Sequence, residues 1–155
     1  MKGLKKMAER IIAVACDQAA YELKLDVLKH LEERGIKYID FGTHSTDSVH
    51  YPEYAHKVCE AIQKGECELG ILICGTGIGM SMAANKHKGI RAAVCCDTFS
   101  SEMTRRHNDA NVLCFGARVL GKGVALEIVD KFLDSPFEGG RHKTRVDMFM
   151  ALENN

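Results

Sequence analysis

The chain has 155 residues, 46% of them apolar and 27% charged, and its 21 basic side chains cancel its 21 acidic ones. A single domain of that size buries about two-thirds of its unfolded surface, and zero net charge leaves little of the phosphate-neutralising drive that nucleic-acid binding needs. Fourteen Gly against two Pro, with no biased segment, exclude collagen-like, disordered and low-complexity chains.

The seven cysteines are odd in number and form no C-x-x-C, and four of them (Cys16, Cys74, Cys95 and Cys114) lie in or at the end of apolar runs. That usage fits buried thiols in a reducing cytoplasm better than disulfides. Residues 1–10 read as a basic extension, and the apolar run behind them, 11–16, is too short for a signal-peptide core and ends on Asp17. The longest uncharged stretch, 69–85, contains four Gly and falls short of the roughly 18 apolar residues a membrane span requires. Neither secretion nor membrane insertion is expected.

IIAVAC at 11–16 is a strand without a polar face, as in parallel sheets covered on both sides. Ala20, Leu23, Val27 and Leu31 then mark one face of a helix that Gly35 stops, and residues 37–41 read as a second strand. Pro52 suits a first helical turn, with Ala55, Val58, Cys59 and Ile62 along one face as far as Gly65. A third strand covers 69–74, a tight loop 75–79, a small-residue helix 80–86 and a fourth strand 91–96. A helix with a thin apolar stripe covers 98–107, a fifth strand 111–115, and Ala125, Ile128, Val129 and Phe132 define an amphipathic helix. After the break at 136–140, a last helix runs over about 141–152, to pack on an outer face or on another subunit.

Five buried strands alternating with helices imply right-handed crossovers. The expected fold is α/β: one three-layer α/β/α domain over 11–152, with a five-stranded parallel Rossmann-like sheet and an extra C-terminal helix. Ligands of such sheets bind beyond the carboxyl ends of the strands, which points at Asp17, residues 42–51, residues 74–79 and Asp97.

Cys74-Gly75-Thr76-Gly77-Ile78-Gly79 is the most informative segment. Alternate glycines between a strand and a helix let backbone N–H groups converge on an anion. Asp97 stands 20 residues beyond Gly77 and mimics the ribose-binding acid of a dinucleotide fingerprint. The match is poor, because the third glycine of that motif would fall at Met80 and the segment lies on the third β-α unit. Dinucleotide binding is therefore a minority reading, and simple close packing is the bland one. A strand-end Cys74 beside an amide nest sits where thiol pKa values fall.

Arg141 and Arg145 lie four residues apart on one helix face behind Gly139-Gly140, a spacing that forms a fork for phosphate or carboxylate. Arg118, after the fifth strand, is a third candidate for the same anion. His107, in the polar run 106–111, reads equally as a local helix cap or as a proton carrier. The remaining histidines show no ligand-spaced cluster, and no metal is called for.

Together these pieces resemble the type B ribose-5-phosphate isomerases, grouped with the galactose-6-phosphate isomerase subunits. The likeness covers about 11–152. It is carried by Cys16-Asp17, Tyr21-Glu22-Leu23-Lys24, Asp40-Phe41-Gly42-Thr43, Tyr51-Pro52, Ile73 to Gly79, Ala83-Ala84-Asn85-Lys86, Gly89-Ile90-Arg91-Ala92, His107 to Val112, and Gly139-Gly140-Arg141-His142 with Arg145.

The resemblance implies a metal-free, cofactor-free aldose-ketose isomerase of a small sugar phosphate. It also implies a homodimer with sites at the subunit interface, with a dimer of dimers left open. On it, Cys74 is the base that shuttles a proton between sugar C2 and C1. The amides of residues 75–79 (Gly75, Gly77, Ile78 and Gly79 among them) stabilise the enediolate. Thr76 and His107 open the ring, Asn108 contacts a hydroxyl or the oxyanion, and Asp17 anchors a hydroxyl. Arg118, Arg141 and Arg145 hold the phosphate, and Tyr51 lines the pocket. Relatives that lack the cysteine carry a Glu six positions later, which here is Met80.

Two positions depart from the family pattern Cys-Asp-His-Ala-Gly, because this chain reads Cys16-Asp17-Gln18-Ala19-Ala20. Gln18 keeps hydrogen-bonding capacity without charge. Ribose 5-phosphate is the expected substrate, with another pentose or hexose phosphate (allose 6-phosphate or galactose 6-phosphate type) as the alternative. A sugar-phosphate-binding module without catalysis is a third reading.

Overall fold

A computed structural model describes residues 9–155, so most of the basic opening segment at 1–10 lies outside the described residues. The elements follow in chain order as β1 (Ile11–Cys16), α1 (Tyr21–Glu33), β2 (Lys37–Asp40), α2 (Tyr51–Gln63), β3 (Leu69–Cys74) and α3 (Ile78–Ala84), then β4 (Ala92–Val94), α4 (Thr98–Asn108), β5 (Val112–Gly116), α5 (Lys122–Asp134) and α6 (Arg141–Met150). Helices α1 and α2 end shortly before Gly35 and Gly65, where the sequence places their stops, and Pro52 sits in the first turn of α2.

All strand pairs are parallel and the sheet order is β2-β1-β3-β5-β4. The three central strands β1, β3 and β5 are the apolar runs, and side chains alternate between two core layers as the period of two demands. Ile12, Val14, Ile71, Ile73, Leu113 and Phe115 face Val27 and Leu31 of α1 and Ile128 and Phe132 of α5. Ala13, Ala15, Leu72, Cys74 and Cys114 face Ala55, Val58 and Cys59 of α2 and Met80 and Ala84 of α3. This is the expected three-layer α/β/α arrangement.

Three expectations need correction. Strands β2 and β4 are edges with one neighbour each, so neither is buried throughout. Strand β4 is shorter than the expected 91–96, and α3 begins two residues earlier than expected, at Ile78, directly behind Gly77. The last helix takes the first of its two expected positions, an outer face of its own chain: α6 crosses the carboxyl end of α4, where Glu138 N–H donates to Arg106 O at 3.0 Å and the His142 ring stacks on His107. Its outer side leaves Met148 and Leu152 exposed. Among the described residues no helix is long and apolar enough to cross a membrane.

Candidate active site

The carboxyl ends of β1 and β3 meet at the middle of the sheet, and Asp17 N–H donates to Ile73 O across them. Cys74 closes β3 with its side chain on the α2/α3 side and is 5% exposed. Its Sγ accepts the Gly77 N–H at 3.1 Å, which fixes the side chain beneath the loop at 75–79. Thr76 is exposed and its Oγ1 accepts the Ile78 N–H at 3.3 Å. This loop depends on two glycines. Gly77 has a φ of +82°, and a Cβ there would lie 2.8 Å from the Phe115 backbone. A Cβ on Gly79 would lie 2.6 Å from the Tyr51 ring, so Tyr51 packs directly on the loop.

Two charged groups join these residues. Arg118 follows β5, donates its N–H to Gly75 O at 3.1 Å, and carries its guanidinium back over the loop, 3.6 Å from where a Gly75 Cβ would stand. Asp17 is buried, and its Oδ1 accepts the Ala19 N–H at 3.0 Å. Burial pushes the Asp17 carboxyl above its ordinary value, while the Ala19 and Ala20 amides and the Arg118 charge pull it back. Gln18 spends its Oε1 on the Val49 N–H at 3.1 Å, tying the loop after β2 to the same edge.

A support for this corner went unread in the sequence. Lys24 is fully buried on α1, and its Nζ donates to Asp40 Oδ1 and Oδ2 at 2.7 and 2.9 Å and to Thr43 O at 2.6 Å. Asp40 Oδ1 also accepts the Gly42 N–H. The pair thus fixes the start of the segment that runs on to Tyr51. A lysine at a helical core position beside Leu23 and Val27 was the available signal.

The remaining candidates lie elsewhere in the same copy of the chain. Val112 pairs with Gly70 at the start of β3, and Gly116 pairs with Cys74 at its end. His107 and Asn108 finish α4 just before β5, so they stand at the amino ends of the strands, on the order of 13 Å from Cys74 along the sheet. Arg141 and Arg145 are on α6 with His142, whose ring stacks on His107 at 4.2 Å between centroids and 4° between planes. Asn108 lines a groove beside β4 together with Arg91, Phe149 and Met150. Within one copy of the chain Arg118 is therefore separated from Arg141 and Arg145, so the three can meet one anion only where two copies come together. The reason is topological: Arg118 follows the carboxyl end of β5, whereas α6 returns to the amino end.

Asp97 also departs from the dinucleotide reading. Its two carboxylate oxygens accept the Ser100 N–H at 2.7 Å and the Ser100 hydroxyl at 2.8 Å, so it caps α4, and these bonds hold its carboxyl below the ordinary value. The fold also assembles a cluster that local spacing did not reveal, in which the imidazoles of His107 and His142 share the neighbourhood of Glu138.

Comparison with known proteins places this geometry. A family model described as Ribose/Galactose Isomerase matches residues 12–149. Ribose-5-phosphate isomerase B of Escherichia coli is 50% identical over 142 residues, 92% of this chain and 95% of that protein. The solved structure of ribose-5-phosphate isomerase B from Clostridium thermocellum superposes with a TM-score of 0.91 at 50% identity, covering 93% of this chain and 97% of that one. The Mycoplasma genitalium enzyme with bound ribulose-5-phosphate gives a TM-score of 0.90 at 38% identity, covering 94% and 97%. With the family model and relatives of this identity spanning nearly the full length, the chain belongs to the ribose/galactose isomerase family.

Proposed function

We propose that this chain interconverts ribose 5-phosphate and ribulose 5-phosphate through an enediolate, with Cys74 as the base. The observation that carries the reading is a thiol held at 3.1 Å from a backbone N–H inside a loop that arranges further amides beside it. A relative that binds ribulose-5-phosphate with the same fold supports it.

Isomerisation requires a base that moves one proton between neighbouring carbons and donors that meet the charge developing on oxygen. Cys74 takes the C2 proton, the amides of residues 75–79 stabilise the enediolate oxygen, and the proton returns at C1. The sulfur's burial suits this step, because water that would compete for the proton is kept away. Asp17 and Gln18 meet sugar hydroxyls, Tyr51 walls the loop, and Thr76 works with His107 in opening the ring.

His107, Asn108, Arg141 and Arg145 stand too far from Cys74 to act on the same molecule within one chain. We infer that a second copy supplies them, so that each site of a homodimer takes Cys74, Thr76 and Arg118 from one subunit and the other four from its partner. Residues 11–152 form the unit that carries the activity. The seven free thiols, six of them buried, suit a reducing compartment, and we place the enzyme in the cytoplasm.

A second reading, an isomerase for a different pentose or hexose phosphate, rests on Gln18 and Ala20, because Gln18 spends its side-chain oxygen on Val49. A panel of aldose and ketose phosphates followed by solvent deuterium exchange separates the two. Turnover and C2 exchange should be highest with ribose 5-phosphate, and both should vanish in Cys74→Ala while its fold and phosphate binding persist. Full exchange in that variant would remove Cys74 from the mechanism.

A further inference from the structure

Among the described residues, Asp109 is the one non-glycine position with a left-handed backbone, at φ +47° and ψ +40°. Glycine or asparagine ordinarily ends a helix this way, because a larger side chain is crowded there. Asp109 closes α4 by donating its N–H to Arg105 O at 3.2 Å, and the Ala110 N–H donates to Thr104 O at 3.1 Å. Its carboxylate gives the position a reason to be other than glycine. Oδ1 accepts Arg105 Nη1 at 3.0 Å and Oδ2 accepts Arg91 Nη2 at 3.3 Å. Arg91 Nε also donates to Asp109 O at 2.7 Å, so one guanidinium holds both the side chain and the backbone of this residue.

Both arginines are themselves anchored. Arg91 lies directly before β4; its N–H donates to Asn111 Oδ1 at 2.7 Å, and its carbonyl accepts the Asn111 and Val112 N–H groups at 3.0 and 3.2 Å, which joins it to the start of β5. Arg105 is buried, its Nη1 donates to Ala110 O at 2.6 Å as well, and its Cζ lies 5.7 Å from the centre of the Phe132 ring on α5. The end of α4 is thus tied to two strands and a neighbouring helix. His107 and Asn108 are the last two residues of α4. The His107 ring lies flat against His142 of α6, a contact that fixes the ring only while the backbone beneath it keeps its distance. We propose that Asp109 is a positioning residue for ring opening: clamped between Arg91 and Arg105, it fixes the end of α4 and so aims His107 at the sugar ring bound by the second copy.

The inference rests on the function proposed above, in which His107 works with Thr76 on the ring bond. In that step the bond from C1 to the ring oxygen breaks, the ring oxygen gains a proton, and the C1 hydroxyl loses one to leave the aldehyde. Such a step depends on where the proton carrier stands, and a displacement of about 1 Å can cost about a hundredfold in rate. Ribulose 5-phosphate is spared it. Its C5 oxygen carries the phosphate and cannot close on the C2 carbonyl, so the ketose is open-chain. Loss of a C1 proton to Cys74, and its replacement from solvent, needs no ring to open.

The test compares the native sequence with Asp109→Gly and Arg91→Gln. Glycine adopts the left-handed backbone freely, so Asp109→Gly removes the carboxylate alone. Arg91→Gln loosens the clamp but keeps the Asp109–Arg105 pair, which leaves no buried charge stranded and serves if the first variant folds poorly. Turnover of ribose 5-phosphate should fall at least about tenfold in both variants. Deuterium uptake at C1 of ribulose 5-phosphate should stay within about twofold of native. The ratio of these two rates does not depend on the fraction of folded protein, so a loss of stability alone leaves it unchanged. The His107 ring signals in proton NMR, identified by their absence from His107→Asn, should move in both variants as the stack on His142 loosens.

Turnover and exchange falling together in both variants, turnover unchanged in both, or His107 signals unmoved in both, each overturns the proposal. Moved His107 signals in a chain that neither isomerises nor exchanges any sugar phosphate support the placement of His107 by Asp109 and count against the isomerase reading, so the two failures are distinguishable.

Discussion

Asp17 shows how burying a carboxylate weakens the fold that holds it. Its native pKa lies above the ordinary value near 3.8, chiefly through burial. The folded state therefore binds that proton more tightly than the unfolded chain does. The corresponding stability is present below the unfolded value and is lost as pH rises through the raised folded one. At neutral pH the charged Asp17 is a net burden on stability. Asp17→Asn keeps an oxygen for the Ala19 N–H and removes the charge. Its melting temperature should exceed that of the native protein at pH 7, the gap should close on acidification, and KM for the sugar phosphate should rise. A melting temperature below the native one at pH 7 would show that the charge is needed by the fold, through Arg118.

Lys24 carries the opposite balance at the same scale. Its ammonium is fully buried and meets two carboxylate oxygens of Asp40 and one carbonyl. Removing one partner of such a pair strands the other, at a cost of about 3–5 kcal/mol. Lys24→Met should lower unfolding stability by that amount in denaturant titration, and the Lys24→Met/Asp40→Leu double variant should recover part of it, because no charge is then left unpaired.

At the scale of elements, Asp97 separates a structural acid from a binding one. Sequence spacing alone allowed it to serve a ribose hydroxyl, yet both of its oxygens are committed to Ser100 at the start of α4. Asp97→Ala should cost about 1 kcal/mol of stability, the ordinary worth of an N-cap, measured by denaturant unfolding, with isomerase turnover in the native state unchanged. The strand and helix periods were legible because each is a local pattern: residues 11–16 and 69–74 coincide with β1 and β3, and the apolar faces of α1, α2 and α5 are those read from spacing. Burial of every strand was not legible, since which strands become edges depends on the order β2-β1-β3-β5-β4, a long-range outcome. The same limit hid the Lys24–Asp40 pair and the meeting of His107 with His142, whose partners lie 16 and 35 positions apart. The loop at 75–79 was legible because alternate glycines encode its backbone directly.

For the whole molecule, the division of candidate residues between the two ends of the sheet becomes a test of assembly. A two-fold dimer in which the carboxyl end of one sheet faces α4 and α6 of the other builds two equivalent sites, each from complementary halves. In the proposed dimer, Cys74→Ala would disable the half that one subunit gives to its own site, and His107→Asn the half it gives to its partner's. Each variant alone should be inactive as a homodimer. When the two are unfolded together and refolded as a mixture, half of the dimers are mixed, and in each of these one site carries both lesions while the other carries none. Activity should therefore return to about a quarter of the native value at equal amounts of the two chains, with a native KM. Were all the catalytic groups to serve within a single chain, every site in the mixture would keep one lesion and no activity would return. Recovery to that level in refolding assays, together with a dimer mass in solution, would fix which side of each site belongs to which copy.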